Sequence, residues 1–365
     1  MSEKTVYFFT SVPFSEQHQI DLEVDYFSDI FRCVRVDLSK LYNRNYAVNS
    51  LAEIKINDFG EFLKFVSDME DRPVILTNIL NSDLPLIYGS LKKKKALICG
   101  FTKEVQSGYY AKRNYNEHSL TVKLKHTVKN ILIRMNLYNR KYDVLFANYD
   151  YEKGKRKSFV RIHHIKYDLI RSLKPVRLVA EDYIVFCDVG LSNHPMFDND
   201  SNRLPLDLYL AKMNALFDYL EQTLNKKVVI SVHPKVHYDA DAFKGRAIFS
   251  GVTPSLIYYS SFVVCHYTTS INEAVLLKKP ILFAYSDSFF KYSSSATMHS
   301  GTEIAKDLNV RPYNIDKLNR NEDLNSFLST EGYDRFIKKY LIAEEQKEKT
   351  NAEIIVNYLN DKGFI

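Results

Sequence analysis

Two short stretches bring together side chains able to hold a phosphate. The apolar run "VVISV" (228–232) ends in His233, Pro234 and Lys235. The run "FVVC" (262–265) leads to Thr268, Thr269 and Ser270, followed by the helix-like "INEAVLL" (271–277). Proline fixes its own φ and stops a strand, so the His233 imidazole is delivered to a strand end. There it can donate to a phosphate or to a base carbonyl, with Lys235 as a nearby cation. A helix start carries N–H groups without intrahelical partners and partial positive charge, and added hydroxyls make it an anion pocket that needs no glycine-rich loop. The same residues have a purely local reading. Ser270 as N-cap with Glu273 three positions on forms a capping box, which satisfies those N–H groups from within. One turn can serve both purposes.

A third stretch, "CDVGLSNHPMFD" (187–198), follows another apolar run. Asp188 ends that strand, and His194, Asp198 and Asp200 follow in a polar loop. A carboxylate or imidazole so placed suits a general base acting on a hydroxyl, with Asp188 and His194 the first candidates. The plain alternative is a polar loop in which Asp188 caps the next segment. "DND" (198–200) has a metal-ligand spacing but is weak evidence for a cation in so polar a loop. In "RIHHIKYD" (161–168), His163 and His164 suit a structural role at least as well as a site.

The elements that would position these residues alternate between strand and helix. "TVYFFT" (5–10), "CVRVDL" (33–38), "PVILTN" (73–78), "KALICG" (95–100) and "YDVLFAN" (142–148) read as strands, with a helix over 59–69. A second series contains strands "DYIVFCD" (182–188), "KVVISV" (227–232), "AIF" (247–249), "FVVC" (262–265) and "PILFAY" (280–285). Between them lies a helix over 204–224, whose Leu206, Leu210, Met213, Phe217, Leu220 and Leu224 keep helical steps. Gly251 marks a turn, and Thr253 followed by Pro254 predicts a capped helix start. Such alternation predicts parallel sheets built from βαβ units. The join falls near 171–182, which divides the chain into an N-terminal domain 1–175 and a C-terminal domain 176–342. A charged helix over 343–365 is free to pack back on the first domain. A basic helix over 118–141 and "KKKK" at 92–95 read most simply as solvated surface, with membrane contact the sharper alternative for the helix.

The composition bounds the function. The 365 residues carry a net charge of +6, which suits phosphates or an anionic surface and is too weak to imply nucleic acid. The four cysteines lie far apart in or beside strand-like runs, which predicts buried thiols rather than disulfides or zinc ligands. No apolar run reaches the length of a membrane span, and the N-terminus lacks the order of a signal peptide. A cytoplasmic protein is expected.

The stretch from "KVVISVHPK" to "FVVCHYTTSINEAVLLKKPILF" resembles the C-terminal domain of bacterial GT-B glycosyltransferases that use CMP-activated keto-sugars, the sialyltransferase-like and capsule Kdo- or nonulosonate-transferase-like enzymes. "IHHIKYDLI" followed by "DYIVFCDVGLSNHPMFD" is similar to the domain junction of surface-carbohydrate proteins in that group. The resemblance covers about residues 142–285 and departs in two places: the paired serines of the group stand here as Thr269 and Ser270, and the acidic motif that supplies the base in some relatives is not evident. It implies an α/β, GT-B fold, two Rossmann-like domains with a cleft between them. It implies that His233 and Pro234 contact CMP, that Thr269 and Ser270 hold its phosphate, and that Glu273 reaches the ribose. The expected activity is inverting transfer of a nonulosonic acid (sialic, legionaminic or pseudaminic) or Kdo from its CMP donor to a surface-glycan acceptor such as capsule or lipopolysaccharide. Neither metal nor cofactor is expected. Contact with the inner membrane face would be peripheral, through the basic first half. The alternatives are a GT-B enzyme using a UDP-sugar or CDP-polyol donor, a UDP-N-acetylglucosamine 2-epimerase-like isomerase, and an inactive glycan-binding factor.

Overall fold

A computed structural model describes residues 4–43, 49–79, 84–102, 142–150, 156–195, 200–318 and 323–365. The helix expected over 118–141 and Asp198 lie outside the described residues. The described residues form two compact units. The first joins the chain up to Ile165 with Ile342–Ile365, and the second runs from Lys166 to Leu341.

The first unit holds a seven-stranded sheet of order β3-β2-β1-β4-β5-β6-β7, parallel throughout. Its strands are β1 (Thr5–Thr10), β2 (Arg32–Asp37), β3 (Ile54–Lys55), β4 (Val74–Thr77), β5 (Leu97–Thr102), β6 (Tyr142–Ala147) and β7 (Arg156–Arg161). The strands that read clearly in sequence, β1, β4, β5 and β6, are the central ones, buried on both faces and therefore apolar almost continuously. The edge strand β3 has two residues, and β7 reads "RKSFVR"; neither carries that signal.

The second unit holds a six-stranded parallel sheet of order β10-β9-β8-β11-β12-β13. Its strands are β8 (Tyr183–Cys187), β9 (Lys227–Val232), β10 (Ile248–Ser250), β11 (Val263–Cys265), β12 (Ile281–Tyr285) and β13 (Tyr313–Asn314). Helix Leu206–Leu224 covers one face, burying Tyr209, Met213, Leu216, Phe217, Tyr219 and Leu220. Of the stripe read in sequence, Met213, Phe217 and Leu220 are buried and Leu210 and Leu224 pack partly buried against the core; Leu206 is exposed, and Tyr209, Leu216 and Tyr219 widen the buried face. Helix Ser295–Asp307 has no strong sequence signal, since "SATMHSGTEIAKD" is mostly polar and buries only Met298, Gly301, Ile304 and Ala305. Gly301 sits where a Cβ would meet the His266 carbonyl oxygen at 2.4 Å, so that helix crosses the end of β11 at backbone contact.

The lysines at 92–95 close a helix and its turn: Lys93 and Lys95 are exposed, in line with a solvated turn, while Lys92 pairs with Asp143 and Lys94 Nζ donates to the Met69 carbonyl at 2.9 Å. Two local expectations are corrected. Thr253 is the first helical residue rather than the cap, and its hydroxyl lies 2.7 Å from Ser231 Oγ. The last helix begins at Asn351, behind a capping box of Thr350 and Glu353, so the segment from 343 to 350 is outside it. All four cysteines are free thiols, and Cys99, Cys187 and Cys265 are buried in β5, β8 and β11.

His163 has a structural place. Its Nδ1 accepts from the Ala343 amide at 3.0 Å, which leaves Nε2–H to donate to the Gln346 and Lys349 carbonyls at 3.2 and 3.1 Å. Asn351 Oδ1 accepts from the His163 amide at 2.6 Å while its Nδ2 donates to the His163 carbonyl at 3.1 Å. These bonds tie the C-terminal segment to the end of β7 within the first unit. Asn351→Ala leaves two buried backbone groups unpaired and should destabilise the first unit by about 2–3 kcal/mol. Urea unfolding followed by hydrogen exchange in helix Asn351–Asp361 measures it; an unchanged midpoint with unchanged protection contradicts this anchor.

Candidate functional site

In the second unit the strand order reverses beside β8, because β9 lies on one side and β11 on the other. Ligands of open parallel sheets bind beyond the carboxyl ends of the strands at such a switch point. The segments that leave β8, β9 and β11 at this edge carry Asp188, His233 to Lys235, and Thr268 to Ser270. The topology therefore gathers the three stretches singled out in the sequence at one edge of one sheet.

Asp188 is buried, at 4% exposure. Its Oδ1 accepts from the Gly190 amide at 3.0 Å and from the Tyr209 hydroxyl at 2.6 Å, and its Oδ2 accepts from the Tyr238 hydroxyl at 2.7 Å. Burial and the neighbouring Asp188 charge push both phenols up, Tyr209 well above its ordinary value, so both remain donors through the neutral range. With both oxygens taken by donors of its own unit, Asp188 is better placed to hold the loop than to abstract a proton.

His194 and His233 come together, with ring centroids 4.9 Å apart at 65°. Gly190 makes this approach possible. Its φ is +68°, and a Cβ there would lie 2.4 Å from Val236 Cγ2. Asn193 Nδ2 donates to the His237 carbonyl at 2.8 Å, a second tie between the two loops. His233 Nδ1 accepts from the Lys235 amide at 3.2 Å. The neutral ring therefore carries its proton on Nε2, which presents a donor. Partial burial, His194 and Lys235 hold the His233 pKa below its ordinary value. Pro234 and Lys235 are exposed.

The hydroxyl turn differs from the expected capping box. Ser270 makes no side-chain cap bond and has helical φ and ψ of −67° and −11°. The Ser270 amide instead donates to Thr268 Oγ1 at 3.3 Å. Thr268 is buried, Ser270 half-buried and Thr269 exposed. Glu273, with 1% exposure, turns away from the cap to pair with Lys166 Nζ at 2.6 Å. Burial pushes its carboxyl up and Lys166 opposes that shift. Glu273 Oε2 is buried with no donor among the described residues. Glu273 and Asp188 both help to push up the thiol of Cys187, the last residue of β8, after burial and Cys265, so the two carboxylates flank the same strand end.

Sequence reasoning missed Tyr209, Tyr238, Lys166 and His266. His266 is buried, sits edge-on to Phe186 and has Nδ1 2.7 Å from the Ala284 carbonyl, which makes Nδ1 the donor. Its Nε2 is a second buried acceptor with no partner among the described residues, and burial holds the ring neutral. A histidine directly after a strand was the available signal for His266; the tyrosines and Lys166 reach the site from distant positions. A separate cavity of about 310 Å³ lies toward the opposite edge of the sheet, between Leu224, Phe262, Leu324 and Leu328, away from these groups. Among the described residues no helix is long and apolar enough to cross a membrane.

No family model matches this sequence, and no curated protein is similar to it. Solved structures are. The chain is similar to a putative UDP-N-acetylglucosamine 2-epimerase from Listeria monocytogenes, at 10% identity over 100% of this chain and 98% of that one, with a TM-score of 0.53. It is similar to the wall teichoic acid polymerase TagF soaked with CDPG, at 15% identity over 98% and 89% of the two chains, with a TM-score of 0.51. It is also similar to the spinosyn forosaminyltransferase SpnP, at 9% identity over 99% of both, with a TM-score of 0.51. At these identities the likeness is one of fold: two parallel-sheet α/β domains, matching the GT-B fold of glycosyltransferases.

Proposed function

We propose that this protein is a glycosyltransferase of GT-B type whose second unit binds a cytidine nucleotide and releases CMP. The observation that supports this best is that His233, with its proton on Nε2, and the Thr268–Ser270 turn leave the same edge of one sheet, on either side of β8 at the switch point. His233 Nε2–H and the hydroxyls of Thr269 and Ser270 are donors, and a departing phosphate monoester needs donors aimed at the oxygen that gains charge. Lys235 adds a cation at the rim. Glu273 Oε2, which has no donor among the described residues, would accept from a ribose hydroxyl.

The HP and hydroxyl motifs point to a CMP-activated keto-sugar, a nonulosonic acid or Kdo, as donor. An acceptor hydroxyl loses its proton to a base, its oxygen bonds to the anomeric carbon, and the carbon–phosphate oxygen bond breaks with its electron pair leaving on CMP. His194 is the preferred base, because Asp188 already accepts three hydrogen bonds. Single displacement inverts the anomeric centre. Every role in this scheme falls to a side chain or amide of the protein, with no divalent ion assigned. The acceptor would be a bacterial surface glycan, reached by an enzyme that is cytoplasmic or peripheral on the inner membrane.

A second reading is favoured by the likeness to the teichoic acid polymerase: a CDP-activated polyol donor. Attack at its distal phosphorus also expels CMP, so both readings ask the same of the site. A uridine nucleotide donor, as the epimerase's description would suggest, asks for a different base contact.

Thermal denaturation separates these. CMP at about 100 times its Kd should stabilise the protein by about 2.7 kcal/mol, and UMP should not; protection by UMP alone would refute the cytidine reading. CMP release from a panel of CMP-sugars and CDP-polyols then distinguishes the two donors. His233→Ala should weaken CMP binding by about 1.5–3 kcal/mol, more than tenfold, with the circular dichroism unchanged; full affinity in that variant moves the phosphate elsewhere. EDTA should leave CMP release unaltered, and a sharp loss of rate would reveal a required cation.

A further inference from the structure

The geometry points to Tyr238 as a positioning residue that, acting through Asp188, holds His233 and His194 together as one unit. Tyr238 lies beyond His233 on the segment leaving β9, and Asp188 begins the segment leaving the adjacent strand β8. The Tyr238 hydroxyl reaches Asp188 Oδ2 at 2.7 Å, and the Asp188 amide donates to the Ser231 carbonyl at 2.9 Å, so the two strand ends are joined by backbone and by side chain. Tyr209, on helix Leu206–Leu224, holds the other carboxylate oxygen at 2.6 Å. The carboxylate is thus fixed from three directions, by a helix, by its own loop through Gly190, and by the loop that carries His233.

Hydrogen bonds to an ionised acceptor are roughly twice as strong as neutral ones. Removing the Tyr238 hydroxyl leaves Asp188 Oδ2 as a buried charged oxygen without that donor, a state the loop can relieve only by admitting water. Opening there separates Gly190 from Val236 and the His194 ring from the His233 ring. The charged and titratable groups acting on His233 are His194 and Asp188 from the β8 segment and Lys235 from its own.

The tyrosine ring has a separate support. It packs edge-on against Phe243 with centroids 4.8 Å apart. Tyr238→Phe therefore keeps the packing and deletes only the donor. Tyr259→Phe is the control. It removes a hydroxyl of the same unit, 3.5 Å from the Pro175 carbonyl, that touches neither histidine loop.

Two readouts test this on the full chain. In protein labelled at histidine, the wild type should show a nuclear Overhauser contact between the His194 and His233 rings, and Tyr238→Phe should lose it. Titration with CMP should show the affinity of Tyr238→Phe reduced by about tenfold or more, the size of one charge-assisted hydrogen bond. Tyr259→Phe should match the wild type in both. Retention of the ring contact in Tyr238→Phe overturns the inference, as does loss of the contact in both variants to the same extent. The affinity arm rests on the cytidine reading and the ring contact does not. A wild type that binds no CMP defeats that reading and leaves the ring contact to decide the role of Tyr238.

Discussion

Asp188 sets the geometry on which the candidate site depends. It is buried, it stands where the central strand of the second sheet runs out, and three donors from three segments converge on it. A carboxylate in such a place is stable only while its donors stay in place. The converse also holds: the donors, each on a different element, are held in register by the carboxylate. The two histidines meet because the loops bearing them are tied at their bases.

The parallel sheets explain why such a site exists at all. Every strand of the second unit points the same way, so each strand end delivers its next residues to one edge. The switch beside β8 opens a gap there, because the crossover helices leave toward opposite faces. Helix Leu206–Leu224 has two roles in this layout. Its apolar face covers the sheet, and from its first turns Tyr209 reaches Asp188. Fold stability and site geometry thus share one element.

Much of this was legible in sequence. The strands β8, β9, β11 and β12 are apolar because both faces are covered, and the polar residues that follow each of them mark the carboxyl edge. That is enough to place Asp188, His233 and the hydroxyl turn together. Edge elements were less legible: β3, β7 and β13 are short or charged and carry no continuous apolar signal. The partners of Asp188 were not legible either. Tyr209 lies 21 residues away and Tyr238 lies 50, and no local pattern announces a hydrogen bond over those separations. The long helix buries a wider face than its leucine spacing shows, since helical spacing marks the centre of a face and not its width. Tyr209 and Tyr219 fill that face as large, mostly apolar side chains.

The capping box at Ser270 failed for a reason that bears on function. Serine followed by glutamate three residues on satisfies the local rule, yet the chain enters this helix already in helical conformation, and Thr268 takes the Ser270 amide. Glu273 is released from that duty and is buried against Lys166 instead. A carboxylate that could have remained in solvent at a helix start is held in the interior, with one oxygen lacking a donor among the described residues. Burial of that kind disfavours the charged form and contributes nothing to the helix. His266, seven residues earlier, repeats the pattern with a buried ring nitrogen that has no partner among the described residues. Two buried acceptors without donors among the described residues thus lie on the segment that leaves β11, a costly placement while they stay unpaired.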